Sequence, residues 1–292
     1  MGIDSRCLVF LHRISRSRPL GKCATLGRQH LFIEPHLLRW ASTVTGIPGS
    51  VLHRYNNCFA EDLLVKYFGA AEIVSLDLFN NDKPTVLVDL NTPIPDHLAS
   101  RFDSVLDLGT SEHIFSTKEV FSNIRKLCKR SGFILHYVPG NDMCGHGMYQ
   151  FSPALFQAVY SYEFAHGAAR LFLNFQAMEK RIFEIKFIQE DRININFFGR
   201  MHQIVFVDNS FGSLEKPSIQ QTDYVANSQV DLEAVKEKIW PMRHWLVSRL
   251  KKIAILRFCV SYMRSVRFVS SFVNRRNFKK YAITVDLTRE TF

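Results

Sequence analysis

Between residues 22 and 139 the chain alternates short runs of β-branched and aliphatic residues with stretches where apolar side chains return every three or four positions. That rhythm predicts a parallel α/β sheet, whose strands are apolar on both faces and whose crossover helices need only one apolar stripe. Strands are expected at 23–26, 73–76, 85–88, 104–106 and 133–138. Asn56 or Asn57 can cap a helix in which Phe59, Leu63, Leu64 and Tyr67 share a face and which Gly69 ends. Ser116 and Glu119 have the spacing of a capping box ahead of Val120, Phe121, Ile124, Leu127 and Cys128. A further helix is expected to open at Ser152, with Pro153 at the first position, where a missing N–H costs nothing.

Beyond residue 165, strand-like runs return at 181–188 and 201–207, separated by the polar stretch 190–196, and are expected to complete the same sheet. Residues 209–230 hold Asn, Ser, Gly, Pro and Gln at loop density and predict a linker. The stretch 231–277 predicts mostly helix. At about 100° per residue, its Arg249, Arg257, Arg264 and Arg267 share an arc with Leu246, Ile253 and Val260. A clean membrane-surface helix would keep the two kinds apart. The sequence shows no internal repeat.

The chain has 292 residues, 47% hydrophobic and 22% charged, which excludes collagen, low-complexity disorder and a small disulfide scaffold. This length suits two average domains or one extended α/β domain. No apolar run approaches the roughly 20 residues needed to cross a bilayer, so a polytopic membrane protein is excluded. Charge changes the picture more. The net charge is +10, and residues 243–280 carry eleven basic side chains and no acidic one, leaving the rest of the chain close to neutral. Such placement suits a local anionic partner, an anionic lipid headgroup or a phosphorylated substrate, better than nucleic acid.

The six cysteines, at 7, 23, 58, 128, 144 and 259, form no CxxC pair and no zinc-ligand spacing. They read as reduced thiols of a cytoplasmic protein, with the inner membrane face as a peripheral station for the basic segment. The first 22 residues are short of acids and rich in Arg and Ser, like a transit peptide, but the apolar stretch 7–11 is too short for a secretory signal.

In an open α/β sheet, ligands bind beyond the carboxyl ends of the strands, and here those ends are polar. The first strand is followed by Gly27-Arg28-Gln29, the second by Asp77, the third by Asp89-Leu90-Asn91, and the fourth by Asp107-Leu108-Gly109-Thr110-Ser111-Glu112-His113. Acids at three successive strand ends are hard to assign to packing. An acid closing the second strand suits a ribose diol, because a carboxylate accepts from two hydroxyls. Gly27 lets backbone come close to a ligand.

Together with the stretches CATLGRQ, AEIVSLD, TVLVDLNTPIP, FDSVLDLGTSEHIF, KLCKRSGFILHYVPGN and GHGMYQFSP, which span about residues 22–165, these ends resemble the class I S-adenosylmethionine-dependent methyltransferases. The likeness is to a bacterial branch with a short LGRQ turn in place of the glycine-rich loop. The resemblance implies a Rossmann-like α/β fold, a seven-stranded sheet with flanking helices, and S-adenosylmethionine as cofactor. By resemblance, Gly27 and Arg28 form the cofactor turn, Asp77 holds the ribose, Asp89, Leu90 and Asn91 lie at the adenine, and Asp107, Gly109 and Thr110 line the methionine side. Arg28 stands where a second glycine would normally clear space. VLDLGT at 105–110 looks like a first-strand glycine motif, but reading it so leaves too few strands downstream, so it is taken as the fourth strand.

Methyl transfer needs in-line alignment and a base when the nucleophile carries a proton. The candidates are Glu112, His113, His146 and Tyr149. His113 follows the fourth strand, and imidazole titrates near neutrality. His146 lies in Gly145-His146-Gly147 after the fifth strand, just before Tyr149 and Gln150. Other readings stay open. Glu112 and His113 can cap the next helix, His146 with Tyr149 and Gln150 can lock a loop, and Asp77 can cap a helix or pair on the surface. No ligand spacing specifies a metal at Glu112, His113 and His146, and none is expected.

The expected organisation is an N-terminal helical arm (1–21), a methyltransferase-like domain (22–208), a linker (209–230) and a basic, mainly helical extension (231–292). The expected activity is methylation of a small molecule or glycan precursor. The alternative is a non-catalytic protein of the same fold, acting through its basic extension as an interaction or membrane-surface module. An oligomer is compatible with either.

Overall fold

The computed structural model of the full chain describes residues 2–176, 180–185, 200–211 and 282–286. The chain divides into two compact units, one comprising 1–185, 199–217 and 284–292 and the other 186–198 and 218–283. Nearly all the described residues belong to the first unit. The basic stretch 243–280 and the helical expectation for it lie outside the described residues. Among the described residues no helix is long and apolar enough to cross a membrane.

The chain opens with β1 (Gly2–Asp4) and α1 (Ser5–Ser17), followed by β2 (Gly21–Leu26) and β3 (His30–Phe32). Three helices come next, α2 (Leu38–Thr45), α3 (Gly49–Tyr55) and α4 (Glu61–Tyr67). Then follow β4 (Ala70–Asp77), β5 (Val86–Leu87), β6 (Phe102–Asp107), α5 (Thr117–Leu127) and β7 (Cys128–Asn141). The remainder is α6 (Pro153–Val159), α7 (Ser161–Ala165), β8 (Ala169–Phe175), β9 (Arg181–Ile185), β10 (Met201–Asp208) and β11 (Ala282–Asp286).

The main sheet has the order β11-β9-β8-β10-β7-β6-β2-β4-β5. Pairing of β2 with β4 and β6, of β4 with β5 and of β6 with β7 is parallel, and β10 runs antiparallel to both β7 and β8. The five strands expected between 22 and 139 are therefore β2, β4, β5, β6 and β7, and they lie side by side in the order 3-2-1-4-5. VLDLGT forms the fourth of them. The sheet has nine strands among the described residues rather than seven, because β9 and β11 extend the β8 side.

Strand β7 shows how the layers divide. Phe133, Leu135 and Tyr137 belong to the core cluster that also holds α1 to α4. With period-2 alternation, Ile134, His136 and Val138 face the other way, and His136 packs against Phe121 of α5 and Phe156 of α6. The segment expected as an N-terminal helical arm is helical over Ser5–Ser17 and packs into that core. Asp4 caps α1 by accepting from Arg6 N and Cys7 N, and Cys7, Leu8, Phe10, Leu11 and Ile14 are buried. Tyr137 Oη donates to Asp4 Oδ2 at 2.7 Å, tying the cap to β7.

Local signals misled at two helix starts. α4 begins at Glu61 with Ala60 at its cap, and Asn56 instead uses Oδ1 to accept from Ile33 N at 2.7 Å. Ser116 stands at the N-cap of α5 but its hydroxyl makes no cap, so the box with Glu119 does not form. Its N–H is taken by Asn91 Oδ1 at 3.0 Å, a partner brought by the loop after β5. Ser152 does cap α6, accepting from Ala154 N, with Pro153 first in the helix.

Candidate functional site

Strand order reverses between β2 and β6, whose following connections lead to opposite sides of the sheet. Such a switch point leaves a crevice at the carboxyl ends of the strands. A cleft of about 530 Å³ lies there, lined by Gly27, Arg28, Asp77, Asp89, Leu90, Asn91, Thr110, His113 and His146 among others. Nine of the residues singled out from the sequence thus share one wall system, although they come from five separate loops.

Gly27 forms the floor. Its φ is +69°, and its N–H donates to Leu76 O at 2.7 Å, closing the turn onto β4. A Cβ built there would stand 3.4 Å from Thr110 Oγ1 and 3.6 Å from Asp77 Oδ2, so bare backbone leaves room beside the acid. Gly27→Ala is expected to cost about 1–2 kcal/mol of stability for the left-handed conformation and to narrow this floor. Urea unfolding of the variant checks the first effect, and an unchanged midpoint would refute it. Asp77 Oδ1 accepts from Phe79 N at 3.1 Å, which folds the chain back after β4.

Arg28 lines the cleft with its guanidinium fixed in place. Its guanidinium lies 3.6 Å above the Phe59 ring centroid, donates from Nε to Glu61 Oε1 at 2.7 Å and from Nη1 to Asp82 O at 2.8 Å. The side chain is a strap between α4 and the loop after β4. Thr110 Oγ1 and Gln29 Nε2 both donate to Leu26 O, at 2.6 Å each, securing the end of β2.

The turn after β5 is built from within. Asp89 Oδ1 accepts from Asn91 N and Nδ2, both at 2.9 Å, and these bonds lower its pKa. Asn123 of α5, fully buried and not singled out from the sequence, accepts from Ile94 N and donates to Leu90 O and Thr92 O. A buried Asn on an otherwise apolar helix face is the only sequence signal that could have pointed to it.

Asp107 is corrected as a lining residue. It pairs in register with His136 of the neighbouring strand, on the face covered by α5 and α6. Its carboxylate accepts from His136 Nδ1 at 2.8 Å, Ser111 Oγ at 2.6 Å, Ser111 N at 3.1 Å and Thr110 N at 3.2 Å. His136 Nε2 meets Tyr160 Oη at 2.8 Å. Gly109 is likewise absent from the lining; with φ +91° it turns the backbone so that Thr110 and Ser111 reach Asp107. Tyr149 also stands outside the lining. Its hydroxyl donates to Phe115 O at 2.8 Å, and Gln150 Oε1 accepts from Met143 N at 2.8 Å, so both lock the 142–150 loop.

Glu112 forms a cluster with the cleft-lining His113 and His146. The two imidazoles are partly exposed, with ring centroids 5.6 Å apart. Glu112 is 0% exposed, and its Oε1 lies 3.9 Å from His113 Nε2 and 3.7 Å from His146 Nε2, beyond hydrogen-bonding range. Burial, and then the charge of Asp107, push its carboxyl up to about 8. Burial, and then His146, lower the pKa of His113. The loop is held there by backbone: Glu112 O accepts from Met148 N and Tyr149 N, and a Cβ on Gly147 would stand 2.9 Å from Glu112 Cγ.

No protein-family model and no curated protein matches this sequence. Solved structures similar to it include a S-adenosylmethionine-dependent methyltransferase from Archaeoglobus fulgidus (13% identity, 68% of this chain and 92% of that one, TM-score 0.38). Another is 1,6-didemethyltoxoflavin-N1-methyltransferase from Burkholderia thailandensis with bound 1,6-didemethyltoxoflavin and S-adenosylhomocysteine (12%, 70% and 76%, 0.36). A third is the branched-chain polyamine synthase from Thermus thermophilus with N4-aminopropylspermidine and 5'-methylthioadenosine (13%, 74% and 58%, 0.32). At these identities and scores none assigns chemistry to this chain, and the functional reading rests on the cleft itself.

Proposed function

We propose that the protein is a S-adenosylmethionine-dependent methyltransferase acting on a small molecule or glycan precursor. One observation carries the cofactor reading. The turn after β2 runs directly into β3 and not into a helix, so this strand end does not supply the glycine loop and helix N-terminus that hold a pyrophosphate in dinucleotide sites. Asp77, Asp82 and Asp89 line the same cleft. Such a wall disfavours phosphates and suits an adenosyl ligand carrying a sulfonium and an ammonium group.

Asp77 would accept from the ribose hydroxyls, the Asp89–Asn91 turn would flank the adenine, and Gly27 and Thr110 would line the path toward the methionine end. When bound, the cofactor supplies an electrophilic methyl group: the acceptor's lone pair forms the new bond to carbon while the sulfur–carbon electron pair returns to sulfur. The chain's part is alignment and exclusion of water, with the acceptor's nucleophile and its departing proton handled at the wall of Glu112, His113 and His146. Leu78 and Phe79, exposed at the rim of the cleft, give an apolar side against which a small acceptor can rest.

Equilibrium dialysis of the full chain with labelled S-adenosylmethionine tests the cofactor assignment. One equivalent retained, displaced by S-adenosylhomocysteine and not by ATP, is the expected result. No retention at millimolar ligand would overturn it and bring forward the non-catalytic alternative.

A further inference from the structure

We infer that Glu112, His113 and His146 form a binding site for a divalent first-row transition cation of the zinc class at the mouth of the cleft. The donor set is one carboxylate and two imidazoles, a combination that holds zinc while leaving coordination positions open. All three ligand atoms lie within 4.8 Å of one another. Ligands around tetrahedral zinc, at about 2.0–2.1 Å from the metal, stand roughly 3.3 Å apart. The set is therefore slightly open, and His146, carried between Gly145 (φ +85°) and Gly147 (φ +91°), is the member placed to close it.

The independent pointer is Glu112 itself. Its side chain is fully buried, and both carboxylate oxygens lack a hydrogen-bond partner among the described residues. A buried carboxyl group left without partners is costly, and natural structures pair such groups or give them a metal. His113 Nε2 and His146 Nε2 stand 3.9 and 3.7 Å from Oε1, close to it but beyond hydrogen-bonding distance. A cation between them satisfies the acid and both rings together.

His113 and His146 also line the cleft, so the open coordination positions face the space assigned to the acceptor. A cation there would bind an acceptor oxygen and ease removal of its proton, acting as a Lewis acid. That consequence rests on the methyl-transfer reading, whereas the site itself does not.

Titration of tag-free, chelator-stripped full chain with Co²⁺ tests the site. Expected are one equivalent bound with a visible d–d absorption band, displacement by Zn²⁺, and a rise in unfolding temperature with either ion. His146→Ala, in an exposed turn that leaves the core intact, is expected to weaken binding by at least about tenfold, the loss that removing even an outer partner produces. Glu112→Gln is expected to do the same while its apo form unfolds at or above the wild-type temperature. Asp77→Ala should bind Co²⁺ like the wild type, so failure of the cofactor reading and failure of the metal site are told apart. Absence of the band, or an affinity unchanged in His146→Ala, would overturn the inference.

Discussion

S-adenosylhomocysteine at one hundred times its dissociation constant is expected to raise the unfolding free energy of the full chain by about 2.7 kcal/mol, and Asp77→Ala is expected to abolish the gain. For a chain of this size about 2–4 °C accompanies each kcal/mol, so the wild-type shift should be roughly 5–10 °C. The expectation follows from how the carboxylate is divided. Oδ1 holds the turn after β4 by accepting from Phe79 N, while the side chain as a whole lines the cleft beside the bare floor of Gly27. Asp77→Asn makes the sharper comparison. An amide oxygen can still accept from Phe79 N, so the turn survives, but an NH₂ cannot accept from a ribose hydroxyl. Asp77→Asn should therefore keep apo stability within about 1 kcal/mol of wild type, and both variants should lose most of the shift. Differential scanning fluorimetry at matched ligand concentrations reads this directly, and a wild-type shift in Asp77→Asn would remove Asp77 from the ligand site.

Asp107→Ala is expected to be more damaging to the fold, by about 3–5 kcal/mol, as for one member of a buried charged network removed from its partners. His136 and Ser111 are both fully buried, and truncation would leave their donors without the carboxylate. The network also sets a pH dependence. Although burial works the other way, the hydrogen bond and charge of His136 and the bonds from Ser111 hold the Asp107 carboxyl below its ordinary value. A carboxylate lowered in the folded state adds stability that is fully present above its unfolded pKa of about 3.9 and is lost as pH falls through the folded value. Asp107→Asn should flatten that acid limb while remaining destabilised at pH 7. Urea unfolding between pH 7 and pH 3 measures both, and a loss below about 1 kcal/mol at neutrality would show that the network contributes little.

The two expectations separate residues that a reading of strand ends treats alike. Asp77, Asp89 and Asp107 each sit at or just beyond a strand's carboxyl end, yet two line the cleft and one lies beneath the helices. Side chains alternate along a strand, so a one-residue difference in where the strand stops decides which face receives the acid. For Asp107 the register against His136 made that choice, and register depends on the neighbouring strand.

The parallel core was legible in the order of residues. Runs of Val, Ile, Leu and aromatic residues marked β2, β4, β5, β6 and β7 because strands buried on both faces need apolar side chains at every position. The polar strand ends that became the cleft were legible too. Strand β8 was not, since a seven-residue run such as ARLFLNF has no periodicity that tells strand from buried helix. Everything else came from assembly of the sheet. The 3-2-1-4-5 order brought Gly27, Asp77, Asp89 and Thr110 around one crevice, Asn91 took the place of the Glu119 side chain at the N–H of Ser116, and Phe59 with Glu61 fixed the guanidinium of Arg28. Those outcomes depend on groups tens of residues apart in the chain. Local propensity carries no information about such partners until the sheet has placed them side by side.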